Sequence, residues 1–271
     1  MKRLGNFRGG NRMKTKKWNE LTARVLTSLV FASFSGSTAL AALPEGYTKG
    51  TDGAYIYTTN VSSDISGESG DKIVLGDGTN AMSVSGDVTG GYSEKGDVKG
   101  SSVTANRNVS VGDETVSGGG TRSGSSTENT VIWNGLLNRT NLYGGMAEGD
   151  GEVKASQNAI TITSSDGGIS TQDVIGGYAE LNKAADGKAA GEASNNRVKI
   201  CVNSAFPMDI HMNLYGGETM IDTRDSYTAS ADSNVVDAEG VAIHGSIVGG
   251  MVYPLRNLDD EKRGNPQCVQ E

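Results

Sequence analysis

Cysteine, proline and histidine are scarce in this chain of 271 residues, which holds two, four and two of them respectively. Small disulfide scaffolds carry many more cysteines. Cys201 and Cys268 lie far apart, the second in a charged tail, so a bridge between them is open but not favoured. His211 and His244, in "DIHMNL" and "VAIHGSI", alternate with apolar neighbours and read as strand-face residues, not as catalytic bases. Zinc needs three or four ligands, and two histidines with Cys201 at these separations are a poor start. No G-x-S-x-G, G-x-G-x-x-G, P-loop or H-E-x-x-H occurs. The chain is therefore expected not to be an enzyme, and no catalytic residue, cofactor or metal ligand is assigned.

Long hydrophobic runs are missing too, and the longest stands near the start. Met1 to Arg24 hold eight basic residues against the single acid Glu20. There follow "VLTSLVFASF" (Val25 to Phe34) and small residues ending in "ALA" (Ala39 to Ala41). That is the three-part layout of a secretory signal peptide cleaved after Ala41. The run is too short for a permanent membrane span; Met13 is an alternative start, and a buried first helix is the alternative reading. Setting this leader aside leaves 16 basic residues against 31 acidic ones, a net charge of −15. So acidic a domain repels nucleic acid and anionic lipid, which excludes nucleic acid from the expected partners.

Glycine is what the chain has in excess, 39 residues of it, and it is patterned. Glycine pairs stand in "DVTGGYSE" (Asp87 to Glu94), "TVSGGGTR" (Thr115 to Arg122), "NLYGGMAE" (Asn141 to Glu148), "DVIGGYAE" (Asp173 to Glu180), "NLYGGETM" (Asn213 to Met220) and "SIVGGMVY" (Ser246 to Tyr253). They begin at 90, 118, 144, 176, 216 and 249, spaced by 26 to 40 residues. Glycine weakens a strand interior, so its recurrence at one phase marks architecture. Between the pairs comes an Asn followed by alternating β-formers, at Asn108, Asn129, Asn158, Asn196 and Asn234. Asp-Gly steps at Asp150 and Asp186 supply turn chemistry.

Repeats of this length made of strands alone predict an all-β chain, a β-solenoid of stacked coils. The glycine pairs fall where the chain bends and successive backbones approach too closely for a Cβ. The Asn residues stack as a hydrogen-bonded ladder. A β-sandwich or irregular β arrangement is the alternative. The expected division is a signal peptide over 1–41, an N-terminal β cap region over 42–86, repeats over 87–253 and a charged, disordered tail over 254–271.

"VTGGYSEKGDVKGSSVTANRNVSV" and "VIGGYAE…GEASNNRVKI" resemble the degenerate repeats of passenger regions in autotransporter adhesins of Gram-negative bacteria. The long basic leader resembles the extended signal peptides of that group. The resemblance covers about Asp87 to Tyr253 plus the leader. It implies a right-handed β-solenoid that is secreted or displayed on the cell surface as an adhesin or structural module. The implied partners are a host or bacterial surface glycan or protein, with self-association through an exposed strand edge. The segment after Tyr253 cannot supply barrel strands. An outer-membrane translocator is therefore expected only in trans, and without one the protein is expected in the periplasm as a truncated passenger.

Acids and tyrosines complete the candidates. The pairs continue as "GGYSEK", "GGMAEG" and "GGYAEL", without the Gly-x-Asp of calcium-binding nonapeptides. Asp222, Asp225 and Asp232 are open to a hard cation, though solvated loop acids are the commoner case. Glu94, Glu148 and Glu180 recur in phase, which favours a structural over a catalytic role, while glycan cleavage by paired carboxylates is the alternative function. Tyr92, Tyr143, Tyr178 and Tyr215 flank the pairs, as cover for bare backbone or as a stacking surface for sugars. The sequons at Asn60, Asn108 and Asn138 carry meaning only in a glycosylating compartment.

Overall fold

Period-two alternation builds the elements of this chain. In Arg197–Val202, Val198, Ile200 and Val202 are buried while Arg197, Lys199 and Cys201 face solvent. Lys72–Leu75 and Thr130–Trp133 show the same pattern, as a half-buried strand requires. The computed structural model describes residues 43–164, 169–202, 207–223 and 226–254, and within them the chain is all-β, without a helix. The leader, its cleavage position, Asp225, Cys268 and the tail beyond 254 lie outside the described residues.

Three parallel sheets result. The first runs Tyr47–Lys49, Tyr55–Tyr57, Lys72–Leu75, Ser102–Ala105, Thr130–Trp133, Ala159–Ser164, Arg197–Val202 and Val235–Glu239, in chain order. Thr130 pairs with Ser102 on one side and Ala159 on the other, Ala159 with Arg197, and Arg197 with Val235. From Lys72–Leu75 onward each rung is thus hydrogen-bonded to the one 28 to 38 residues later. The third sheet repeats this with Val98–Lys99, Ser125–Thr127, Glu152–Ser156, Ala190–Glu192 and Thr228–Ser230. The second carries the glycine pairs and includes Leu136–Asp150, Ile169–Lys183, Leu214–Ile221 and Ile247–Pro254. At the N-terminal end Tyr47–Lys49 pairs antiparallel with Tyr55–Tyr57. Tyr47 packs edge-on against Tyr55 and Tyr57 there, and this short antiparallel strand forms the N-terminal edge of the sheet. Ile65–Ser66 pairs with Val88–Thr89, so the second sheet runs on below Asp87, through a rung with the single glycine Gly67.

The interior is divided into two apolar columns. The larger gathers residues between each Asn and the next glycine pair, such as Ile160, Ile162, Ile169 and Val174, with Trp133 and Tyr57. The smaller gathers residues between each pair and the next Asn: Ala147, Val153 and Ala155, then Ala179, Leu181 and Ala193. Between the columns the chain is pinched into a waist. A Cβ on Gly67, Gly90, Gly118, Gly144, Gly176 or Gly216 would overlap the carbonyl oxygen of the first glycine in the following rung. The second glycines Gly119, Gly145, Gly177 and Gly217 face the asparagines: a Cβ would stand 2.6 Å from the Cγ of Asn129 at Gly119, and 2.5 Å from that of Asn158 at Gly145. The glycine pairs therefore occupy equivalent places, with Gly145 opposite Gly177 and Gly217 opposite Gly250. Crowding along the stack and across the coil requires them.

The asparagines cross-link the rungs at this waist. The backbone N–H of Asn129 donates to Asn158 Oδ1 at 3.0 Å, that of Asn158 to Asn196 Oδ1 at 3.0 Å, and that of Asn196 to Asn234 Oδ1 at 2.9 Å. Each Nδ2 also reaches the next Oδ1, at 3.2, 3.1 and 3.0 Å. Asn129, Asn158 and Asn196 are buried, where an unmade hydrogen bond costs most. One expected member is absent: Asn108 precedes the second-sheet strand Val109–Gly112 and donates through Nδ2 to the Thr79 carbonyl. Ser101 holds the equivalent place, its N–H donating to Asn129 Oδ1 at 2.9 Å. The short alternation of "NVSV" imitates a ladder strand but belongs to another side of the coil. A left-handed residue precedes every ladder position: Gly100, Glu128, Gln157, Asn195 and Ser233, with φ from 55° to 69°. This corner swings the chain from the third sheet into the first. The Asp-Gly turns are left-handed as expected, with φ of 80° at Gly151 and 50° and 74° at Asp186 and Gly187.

Candidate functional site

The strand that bends inward at each glycine pair turns its other face outward. Alternation places Tyr143, Met146 and Glu148 there, opposite the interior Leu142 and Ala147. The residue after each pair forms one column, in which Met146 lies opposite Tyr178, Tyr178 opposite Glu218, and Glu218 opposite Met251. Two residues further on, Glu148 lies opposite Glu180 and Glu180 opposite Met220. Tyr92, Tyr143, Tyr178 and Tyr215 are all buried. The rings of Tyr143 and Tyr178 meet edge-on at 5.8 Å between centroids, and the Tyr178 hydroxyl donates to Glu180 Oε2 at 2.7 Å. Burial leaves none of the four rings an open face for sugar stacking.

This outer column holds carboxyls that burial makes hard to ionise. Glu218 takes the slot of Tyr178 one rung later, and burial, then the charges of Asp173 and Glu180, push its pKa up to about 8. Burial also lifts Glu180 to about 7, against the pull of the Tyr178 hydroxyl. Asp173 is raised to about 6 by burial, against two hydrogen bonds from Asn213, at 2.9 and 3.0 Å to its Oδ1. Glu148 is raised by burial, while Asn182 at 3.3 Å and the charge of Arg122 pull the other way. Glu218 and Glu180 can thus hold protons near neutral pH. Glu148 and Glu180 lie side by side on one face, whereas cleavage of a glycosidic bond takes carboxyls on two sides of it.

A second cluster lies on the outside of the C-terminal rungs. Ile210 pairs with Ile243, which puts His211 and His244 next to each other just past the ends of neighbouring strands. Their rings stack at 5.7 Å between centroids, 14° from parallel. His211 Nε2 lies 2.9 Å from Ser170 Oγ, and His244 Nε2 lies 3.4 Å from Asp209 Oδ1. Sequence reasoning took the two histidines singly. The signal that joins them is their separation of 33 residues, the same as between Gly216 and Gly249. Of the other candidates, Cys201 is an exposed free thiol, and Asp222 and Asp232 join no metal-holding group among the described residues. Among the described residues no three His, Cys, Asp or Glu side chains are gathered to hold a metal ion. Asn60 accepts the Ser83 N–H at 2.9 Å, and Asn138 is exposed. No protein-family model, curated protein or solved structure matches this chain.

Proposed function

We propose that the protein is a secreted or surface-exposed passenger of the autotransporter type, coiled as a right-handed β-solenoid, that acts as an adhesin or structural surface module. The observation that carries this reading is the repetition of one joint, the first glycine of a rung seated on the glycine carbonyl of the next, from Gly67 to Gly249. A joint repeated without change stacks rungs in line. Outward strand faces and loops are then displayed many times along one axis, and weak equivalent contacts sum to a firm hold. The right-handed sense follows the near-universal hand of parallel crossovers. The leader supports export, and the acidic charge supports a glycan or protein partner over nucleic acid.

One observation favours a second reading, a glycan-active enzyme: the raised carboxyl of Glu180 would be protonated as a general acid must be. A glycan and host-matrix binding array, run on the purified protein and on versions lacking whole rungs, tests both. Binding that falls stepwise as rungs are removed supports the adhesive module. Release of reducing sugar that Glu148→Ala or Glu180→Ala abolishes contradicts it. Protease shaving of intact cells reads the location: digestion from outside supports display on the surface, and protection contradicts it.

A further inference from the structure

We infer that His211 and His244 are the protein half of a transition-metal site, a two-imidazole clip across neighbouring rungs for zinc, copper(II) or nickel(II), with Asp209 as the third ligand. The chain has only two histidines, and the fold sets both at the ends of successive strands, ring over ring. Packing does not account for this, because both residues are exposed. Their register is fixed by the flanking pairs Met208–Val241, Asp209–Ala242 and Ile210–Ile243, so little order remains to be imposed when a ligand binds.

The register brings both imidazoles within reach of one ion, and the side chains must turn before they chelate. A zinc–nitrogen bond is about 2.0–2.1 Å, so two ring nitrogens must come within about 4 Å of one another. The rings stand 5.7 Å apart between centroids, and both Nε2 atoms are turned the same way, toward Ser170 and Asp209 on the preceding rung. As they lie, the rings are 14° from parallel and His211 Nε2 faces Ser170, away from His244, so a shared ion requires both exposed side chains to change rotamer and converge. As the side chains lie, no three-ligand group is assembled. Asp209, already against His244 and with its side chain 51% exposed, turns to the metal, and water fills the other positions. Imidazole with one carboxylate selects the later first-row ions over calcium and magnesium. A chain with net charge −8 concentrates cations near its surface. Bound metal would tie together two rungs where Val241 and Ile243 are only partly buried, so its effect is to clamp the C-terminal rungs. This inference does not depend on the adhesive reading.

Calorimetric titration of the untagged, chelator-stripped protein with zinc chloride and with copper(II) chloride tests it. One ion per chain is expected. His211→Ala and His244→Ala should each weaken binding on the order of 100-fold, and Asp209→Asn about tenfold. Zinc should raise the thermal midpoint of the parent protein and leave that of the His211→Ala variant unchanged. Circular dichroism without metal verifies that the exposed substitutions preserve the fold. Binding retained by the His211→Ala, His244→Ala double variant, or no heat up to millimolar metal, would overturn the inference.

Discussion

Replacing Glu218 by glutamine keeps the shape of a buried carboxyl and removes its charge. Glu218 is 8% exposed and stands where the adjoining rungs place Tyr178 and Met251. In the unfolded chain its pKa returns from about 8 to the ordinary 4.5. Between those values the unfolded chain has released a proton that the folded chain still holds. Stability contributed by the protonated, buried form is therefore complete below about pH 4.5 and is lost as pH rises toward 8. The difference of 3.5, at about 1.4 kcal/mol for each pH unit, caps the loss at ~5 kcal/mol. Relaxation and water entry reduce it, and ~2–3 kcal/mol is the expected size. Asp173 and Glu180, raised to about 6 and about 7, act with the same sign, so the glutamine variant keeps part of the slope. Urea unfolding followed by circular dichroism near pH 5 and pH 8 reads the difference. Near pH 5 the two proteins should differ by less than ~1 kcal/mol, and Glu218→Gln should be the more stable by ~2 kcal/mol or more near pH 8. Equal stability near pH 8, or a parent protein that gains stability from pH 5 to 8, would refute the reasoning.

Asn158→Ala should cost ~2–4 kcal/mol in denaturant unfolding, because it strands the buried Asn129 N–H and the Ser126 carbonyl that Asn158 now satisfies at 3.0 Å each; a loss under ~0.5 kcal/mol would dismiss the ladder as ornament. At the left-handed corner, where Gln157 has φ of 59°, Gln157→Val should destabilise by ~1–2 kcal/mol while Gln157→Gly is neutral or stabilising. Thermal midpoints in that order support the corner assignment, and the reverse order contradicts it. Mass spectrometry of the exported protein should find a chain starting near Ala42, and an uncleaved N-terminus in a cytosolic protein would contradict the leader reading.

The glycine pairs were legible because a Cβ-free position is a backbone requirement that no other residue meets, and it repeats at one phase. Gly67 escaped because its rung carries a single glycine. The asparagine ladder was legible from Asn129 onward, where buried amide bonds to amide; Ser101 has no amide, and Asn108 took its place in the reading on strand pattern alone. The left-handed corners were hidden, since Glu128 and Gln157 are residues with no preference for positive φ. Glu218 was visible as the residue that replaces tyrosine when "GGETM" is laid under "GGYAE", but its burial depends on the inward bend of the rung. The histidine pair needed the rung step first. Which local loops add residues to that step, and so which side chains become neighbours, is set by packing and not by any one motif.

The most direct test of the stacked waist compares one substitution at two equivalent glycines. Neither Gly144 nor Gly249 has a left-handed φ, so alanine is allowed by the backbone at both. At Gly144 the new Cβ would overlap the Gly176 carbonyl and meet Asn158 Cβ at 3.2 Å, whereas at Gly249 it meets, among the described residues, only the Asn234 carbonyl at 3.4 Å. Urea unfolding should show Gly144→Ala losing ~2–3 kcal/mol or more and Gly249→Ala staying within ~0.5 kcal/mol of the parent. Equal losses at the two positions would contradict the claim that rung-on-rung contact is what the glycines are for.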